Sequence, residues 1–202
     1  MKTTLYSTLS LLLILISLAR PASNSLDAIK SKFSRSDCTY FEFANIIESN
    51  IFGVIDTVRA SAYIAKDGRY KIEIGPDVYL YDGTQLYTYF WETNQVIIEK
   101  PDSGAIFSDE ISFVMKLDEW YDSEVINKSG YSLTKKKGIA GDIPDSLDLT
   151  TNNEDSTIME IKYIDINGDV NRIEFLKQRS DSVCDADLFE PAFPDSVEKV
   201  KL

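Results

Sequence analysis

The sequence predicts a mainly β protein, one antiparallel sheet with a helical interruption, on three observations. Short alternating runs rich in Tyr, Ile and Val follow one another over residues 60–99 with no helix-length gap between them. Turn dipeptides separate such runs, at Asp82-Gly83 and Asn167-Gly168. Helical periodicity is confined to two stretches, 25–34 and 105–117. Parallel strands need crossovers of about a dozen residues or more, so gaps this short make the sheet an antiparallel meander.

Taken in order, residues 25–34 read as a helix. Leu26, Ile29 and Phe33 fall on one face, and Asn24 or Ser25 caps the start. Thr39–Phe43 is an aromatic-rich strand. Ala62–Ala65 and Tyr70–Ile74 follow, joined by the turn Lys66-Asp67-Gly68. The second alternates, with Tyr70, Ile72 and Ile74 on one side and Lys71 and Glu73 on the other. Val78–Tyr81 and Leu86–Tyr89 form a hairpin across Asp82-Gly83. Gln95–Ile98 is the next strand. Ser108-Asp109-Glu110 then opens a helix, with acids at the positive end of its dipole. Strands resume around 123–134. Residues 135–157 read as a long polar loop with a short strand near Leu147–Leu149. Ile158–Ile164 and Val170–Phe175 make a hairpin, and short extended pieces near Leu188-Phe189 and Val197–Val200 finish the chain.

The first nineteen residues read as an export leader. Lys2 precedes an apolar run, Leu9–Leu18, which ends in the small-x-small site Ser17-Leu18-Ala19. The run falls short of the ~20 apolar residues that span a bilayer. The place just after the cleavage site holds Arg20 rather than a cysteine ready for acylation. The expectation is a leader at 1–19 followed by one domain at 20–202, exported, soluble and not lipid-anchored. Two cysteines in an exported chain suit one disulfide, Cys38–Cys184, or else two separate buried thiols.

Composition narrows the function. The chain of 202 residues has no histidine, 21 basic and 33 acidic residues and a net charge of −12. No Ser-His-Asp or Cys-His site can form, nor any histidine-ligated metal site. The acidic balance argues against nucleic acid as a partner. Asp165-Ile166-Asn167-Gly168-Asp169 has too few ligands for a calcium loop and reads as a hairpin turn. Asn127-Lys128-Ser129 fits a glycosylation sequon, and Lys135-Lys136-Lys137 reads as a solvated loop. No cofactor or metal is expected.

Three segments then resemble a known family. They are Tyr63–Ile72, Tyr81–Tyr89 with Glu92–Val96, and Phe189-Glu190-Pro191-Ala192-Phe193-Pro194. Their types and collinear order are similar to those of the periplasmic outer-membrane lipoprotein carriers, the LolA-like family. What the resemblance implies is a mainly β (α+β) fold, an incomplete antiparallel β-barrel with a helical lid over an apolar cavity. It implies a non-enzymatic carrier, a monomer, that takes the acyl chains of lipoproteins from an inner-membrane lipoprotein-releasing transporter to the outer membrane, where a receptor can accept them. The cavity-wall candidates are Phe41, Phe43, Tyr63, Tyr70, Ile72, Tyr87 and Tyr89. The lid candidates are Phe107, Ile111, Val114 and Met115. Lys66 stands where the family's latch arginine would be, keeping the charge but losing the planar fork. Lys71, Ile72 and Tyr87 replace an arginine and two tryptophans of the family pattern. Two other readings compete: a lipid-binding or lipid-sensing protein of the same fold, and a secreted hydrolase built on an Asp/Glu pair. The acid spacing singles out no such pair.

Overall fold

Twelve strands form one sheet in the computed structural model, which describes residues 28, 29, 31, 32, 35–100, 116–139, 143–181 and 183–202. The strands are β1 (Cys38–Ser49), β2 (Val54–Ala65), β3 (Tyr70–Ile74), β4 (Asp77–Tyr81), β5 (Leu86–Phe90), β6 (Gln95–Glu99), β7 (Tyr121–Val125), β8 (Gly130–Lys135), β9 (Ser146–Asn152), β10 (Thr157–Ile164), β11 (Val170–Asp181) and β12 (Glu198–Lys201). Their spatial order is β12-β6-β5-β4-β3-β2-β1-β11-β10-β9-β8-β7. Two meanders, β1–β6 and β7–β11, are therefore joined edge to edge by the long β1–β11 pairing. The sheet does not close, since β7 and β12 are its two ends.

Every pairing is antiparallel except β12 with β6. That edge corrects the all-antiparallel expectation, and the reason is the connection. After β11 the chain crosses a face of the sheet before reaching β6, so its direction is not set by a tight turn. Asn94, at φ 49 in the β5–β6 turn, receives it. Its Nδ2 donates to the Ser196 carbonyl at 3.0 Å, and its carbonyl accepts from the Glu198 N–H at 3.0 Å.

Several elements run longer than their sequence pattern. β1 and β2 extend to a hairpin tip at 50–53, and β11 continues through the polar run Leu176–Asp181 because β1 supplies its ladder from Cys38 to Glu42. The expected loop 135–157 contains a full strand, β9, whose Leu147, Leu149 and Thr151 are buried between polar neighbours. Leu188-Phe189 belongs to a 3₁₀ turn, Ala186–Phe189, and is not extended. Residues 28, 29, 31 and 32 are helical, as the 25–34 pattern implies, and so is residue 35, just past it. A short helix, α1 (Leu117–Trp120), leads straight into β7. The leader and the lid candidates Phe107, Ile111, Val114 and Met115 lie outside the described residues.

Two apolar clusters, one on each side of the sheet, hold the fold together. The larger draws on β1–β5 and β7–β11 together with Ile29, Leu117 and Trp120. The smaller lies under the crossing segment 184–197. We call these sides inner and outer.

Candidate functional site: the inner face of the open sheet

Strand alternation sends every second side chain to one side, and the register carries that side from strand to strand. Phe41 and Phe43 on β1 face Ala62 and Ala60 on β2, which face Ile72 and Ile74 on β3. Tyr70 and Ile72 face Tyr81 and Tyr79 on β4, and Tyr81 faces Leu86 on β5. On the other flank Phe43 and Asn45 face Phe175 and Ile173 on β11. Ile173 continues to Ile161, Leu149 and Tyr131. With Tyr121 on β7 added, one apolar strip crosses ten strands.

Aromatic rings are concentrated at two places on it. The Phe175 ring lies 5.4 Å from Phe41, edge-on, and 6.0 Å from Phe43. Tyr70 and Tyr81 lie 5.9 Å apart. The β1–β11 register shifts between Glu42 and Phe43, and the extra residue, Leu176, lets Phe175 meet both phenylalanines. A second shift, between Ile158 and Glu160, interrupts the β10–β9 ladder. Gln178 compensates there. Its side-chain oxygen accepts from the Ile158 N–H at 3.1 Å, and its amide donates to the Ile158 carbonyl. Tyr121 donates to the Pro144 carbonyl at 2.9 Å, and burial, with the Asp145 charge, pushes its phenol up from its ordinary value. This strip is apolar surface with hydroxyls at intervals. Among the described residues no group of three or more His, Cys, Asp or Glu side chains is placed to hold a metal ion.

The seven cavity-wall candidates do not share one wall. Phe41, Phe43, Tyr70 and Ile72 are on the inner face and nearly fully buried. Tyr63, Tyr87 and Tyr89 are on the outer face. The crossing segment covers them, and Phe193 sits 6.0 Å from the Tyr87 ring and 5.5 Å from the Tyr89 ring. A cleft of about 300 Å³ opens on this outer side, between Leu80 and Tyr89 of the sheet and Leu188 and Phe193 of the segment, with Lys71, Asp185 and Asp187 at its margin. A disulfide joins Cys38 to Cys184, with Cα atoms 4.8 Å apart, and pins the start of the segment to β1.

Tyr87 has a structural role. Its hydroxyl donates within the Asp82–Gln85 turn, with Asp82 Oδ2 and Gln85 Oε1 each 3.0 Å away. Burial and the hydrogen bond to Asp82 raise its phenol. Asp82 Oδ1 accepts from the Thr84 N–H and hydroxyl, each at 2.7 Å, and the Gln85 N–H at 2.8 Å. Burial alone would raise that carboxyl, but these bonds outweigh it and Asp82 sits below its ordinary value. Gly83, at φ 100, takes the backbone conformation that this turn requires.

Lys66 lies in the β2–β3 turn. Its N–H donates to the Asp37 carbonyl at 3.0 Å, and its Nζ is 3.7 Å from Asp37 Oδ1. Asp37 follows the N-terminal helical residues, so the pair ties the helix exit to the turn. Both side chains are exposed, and such pairs contribute about 0–1 kcal/mol. Arg69, three residues on, is better anchored, 2.9 Å from Asp67 and stacked 4.9 Å from the Phe189 ring centre.

Inner-face residues beyond the first candidates include Tyr79, Tyr81, Tyr131, Leu149, Ile161 and Phe175. A signal for Tyr79 and Tyr81 was present. In an antiparallel hairpin, facing residues share a side. Counting parity from Ile72 through the turns places Tyr79, Tyr81 and Leu86 with it and puts Tyr87 and Tyr89 opposite.

No protein-family model matches the chain, and no curated protein matches its sequence. Solved structures do. An uncharacterized conserved protein from Thermus thermophilus is similar at TM-score 0.54 and 13% identity, over 89% of this chain and 100% of that one. A DUF1329 family protein from Desulfovibrio piger is similar at TM-score 0.47 and 16% identity, over 83% and 98%. A LolA superfamily protein from Nitrosomonas europaea is similar at TM-score 0.44 and 10% identity, over 82% and 97%. At 13% identity, the likeness to the Thermus thermophilus protein is one of fold alone.

Proposed function

We propose that this protein is an exported carrier that holds the acyl chains of lipoproteins against the inner face of its sheet and ferries them from the inner to the outer membrane. The observation that carries the reading is the inner face itself. Ten strands of an open sheet present apolar side chains on one side, and among the described residues only Ile29, Leu117 and Trp120 come from helices to meet them. A broad apolar face normally needs a packed layer against it. Phe41, Phe43, Tyr70 and Ile72 are already nearly fully buried, so an acyl chain takes the place of part of their present cover. The sequence resemblance supports the cargo.

In this reading residues 1–19 are removed on export, and 20–202 act as one carrier domain in the periplasm. Phe107, Ile111, Val114 and Met115 close over the ligand, and Lys66 contributes a weak latch. An inner-membrane lipoprotein-releasing transporter loads the carrier, and an outer-membrane receptor can unload it. No bond is made or broken, so no catalytic group is needed. Full burial of a ~16-carbon chain would bring on the order of 13 kcal/mol, too much for ready release. Partial burial against a wall carrying Tyr70, Tyr79, Tyr81 and Tyr131 keeps the net attraction lower.

Displacement of a fluorescent fatty-acid probe tests this. The protein is expected to bind the probe at micromolar concentration, and palmitate is expected to displace it. Failure to bind probe, fatty acid or acylated peptide at that concentration rejects the carrier reading.

A further inference from the structure

The β1–β2 hairpin runs on past its neighbour. β3 pairs with β2 as far as Ala60, and the Gly75 N–H still donates to the Arg59 carbonyl, so Val54–Val58 projects roughly 17 Å beyond that flank. On the other flank the β10–β11 hairpin keeps pace with it, since Glu48 faces Val170. Asn50 ties the two tips together. Its N–H donates to Asp169 Oδ1 at 3.1 Å, and its Nδ2 donates to the Gly168 carbonyl at 2.5 Å. The joined tips expose Ile51 (71%), Phe52 (78%), Val54 (54%) and Ile55 (69%) on one hairpin, and Ile164 (64%) and Ile166 (97%) on the other.

We propose that these paired tips insert into the interface of a zwitterionic bilayer and dock the protein there. Two observations select a bilayer over a protein partner. The register puts Val54 on the inner side of the sheet and Ile55 and Ile164 on the outer side, while Ile51, Phe52 and Ile166 cap the end. The projection carries exposed apolar side chains on both sides and at its tip, set among the polar residues Asn50, Asp56, Thr57 and Asn167. A protein surface covers one side of such a blade, whereas the interfacial layer surrounds it. The charges behind it fit the same occupant. Glu48, Asp56, Asp165 and Asp169 form an acidic collar, and the cations Lys162, Arg172 and Arg59 stand behind it on the strands, with Arg172 3.5 Å from Glu174. Near this end, Lys135 on β8 and Lys136 just after it are engaged by Asp145 and by the Asp118 and Glu119 carbonyls, which leaves Lys137 as the exposed cation of that run. An acidic collar matches the ammonium groups of ethanolamine and choline headgroups and is repelled by anionic ones. The docking does not depend on what the inner face holds.

The test places an environment-sensitive nitrobenzoxadiazole label on Phe52→Cys in the full chain, where the two native cysteines are already joined to each other. A second label on Glu154→Cys, in the β9–β10 turn at the opposite end of the sheet, is the control. Vesicles of phosphatidylcholine and phosphatidylethanolamine are expected to shift the Phe52→Cys emission to the blue and to quench it when they carry doxyl lipid. The Glu154→Cys label is expected to stay silent. Because each label reads its own position, binding through another segment does not register at residue 52. Adding Ile51→Ser and Ile166→Ser is expected to weaken the response about tenfold or more, with circular dichroism unchanged, and anionic lipid is expected to weaken it as well. No shift at residue 52, or an equal shift at 154, overturns the proposal. A shift that grows with protein concentration without lipid also overturns it, in favour of a second copy of the chain.

Discussion

Phe41→Ala is expected to destabilise the protein by about 3–5 kcal/mol. The ring is 1% exposed, packs edge-on to Phe175 at 5.4 Å and faces Ala62, which has no atoms to spare for the gap. β1 is paired on both sides, to β2 and to β11, so its backbone cannot move inward to fill the hole. Most of the cavity therefore stays open, and the loss falls in the upper part of the range for large-to-small substitutions. Against a total stability of about 5–15 kcal/mol, that is a large share. Urea unfolding should show a lower midpoint with an unchanged slope. A loss below about 1 kcal/mol would mean that this part of the inner face is not packed.

Removal of the disulfide ranks second. The bond between Cys38 and Cys184 closes a loop with a sequence separation of 146, and native bridges of this kind contribute about 2–4 kcal/mol, chiefly by limiting the unfolded chain. Its position gives the loss a location. Cys184 opens the segment that carries Leu188, Phe189 and Phe193 over the outer face. The double variant Cys38→Ser/Cys184→Ser should melt about 5–15 °C lower. Its amide protection should fall first in 184–201, while the β1–β11 ladder keeps its own. Equal melting of the oxidised and reduced protein would remove the bridge from this account.

Much of the fold was legible, and the reasons are local. Tyr70–Ile74 alternates without exception, Asp82 and Gly83 carry their own turn chemistry, and Asn167-Gly168 does the same for β10 and β11. These signals need no distant partner. What could not be read needed one. Leu176–Asp181 is a polar run that becomes strand because β1 lies beside it, and Ser146–Asn152 becomes strand between β8 and β10. The parallel β12 edge depends on a crossing segment whose path is set by Phe193 against Tyr87 and Tyr89 and by Phe189 in the outer cluster. The site was half legible for a related reason. Type and alternation picked out Tyr70 and Tyr87 equally, because both are tyrosines in strands. Only the register separates them, since it counts the turn between Tyr81 and Leu86 and so places Tyr87 under the C-terminal segment.

The central claim is that the inner face, and not the outer cleft, receives an acyl chain. Photocrosslinking with a diazirine-bearing palmitate, followed by peptide mass mapping, tests it most directly, because the two faces alternate along the same strands. The account predicts adducts on Tyr70, Ile72, Tyr79 and Tyr81, suppressed by excess palmitate. Adducts confined to Tyr89, Leu188 and Phe193 would contradict it and assign the ligand to the outer cleft.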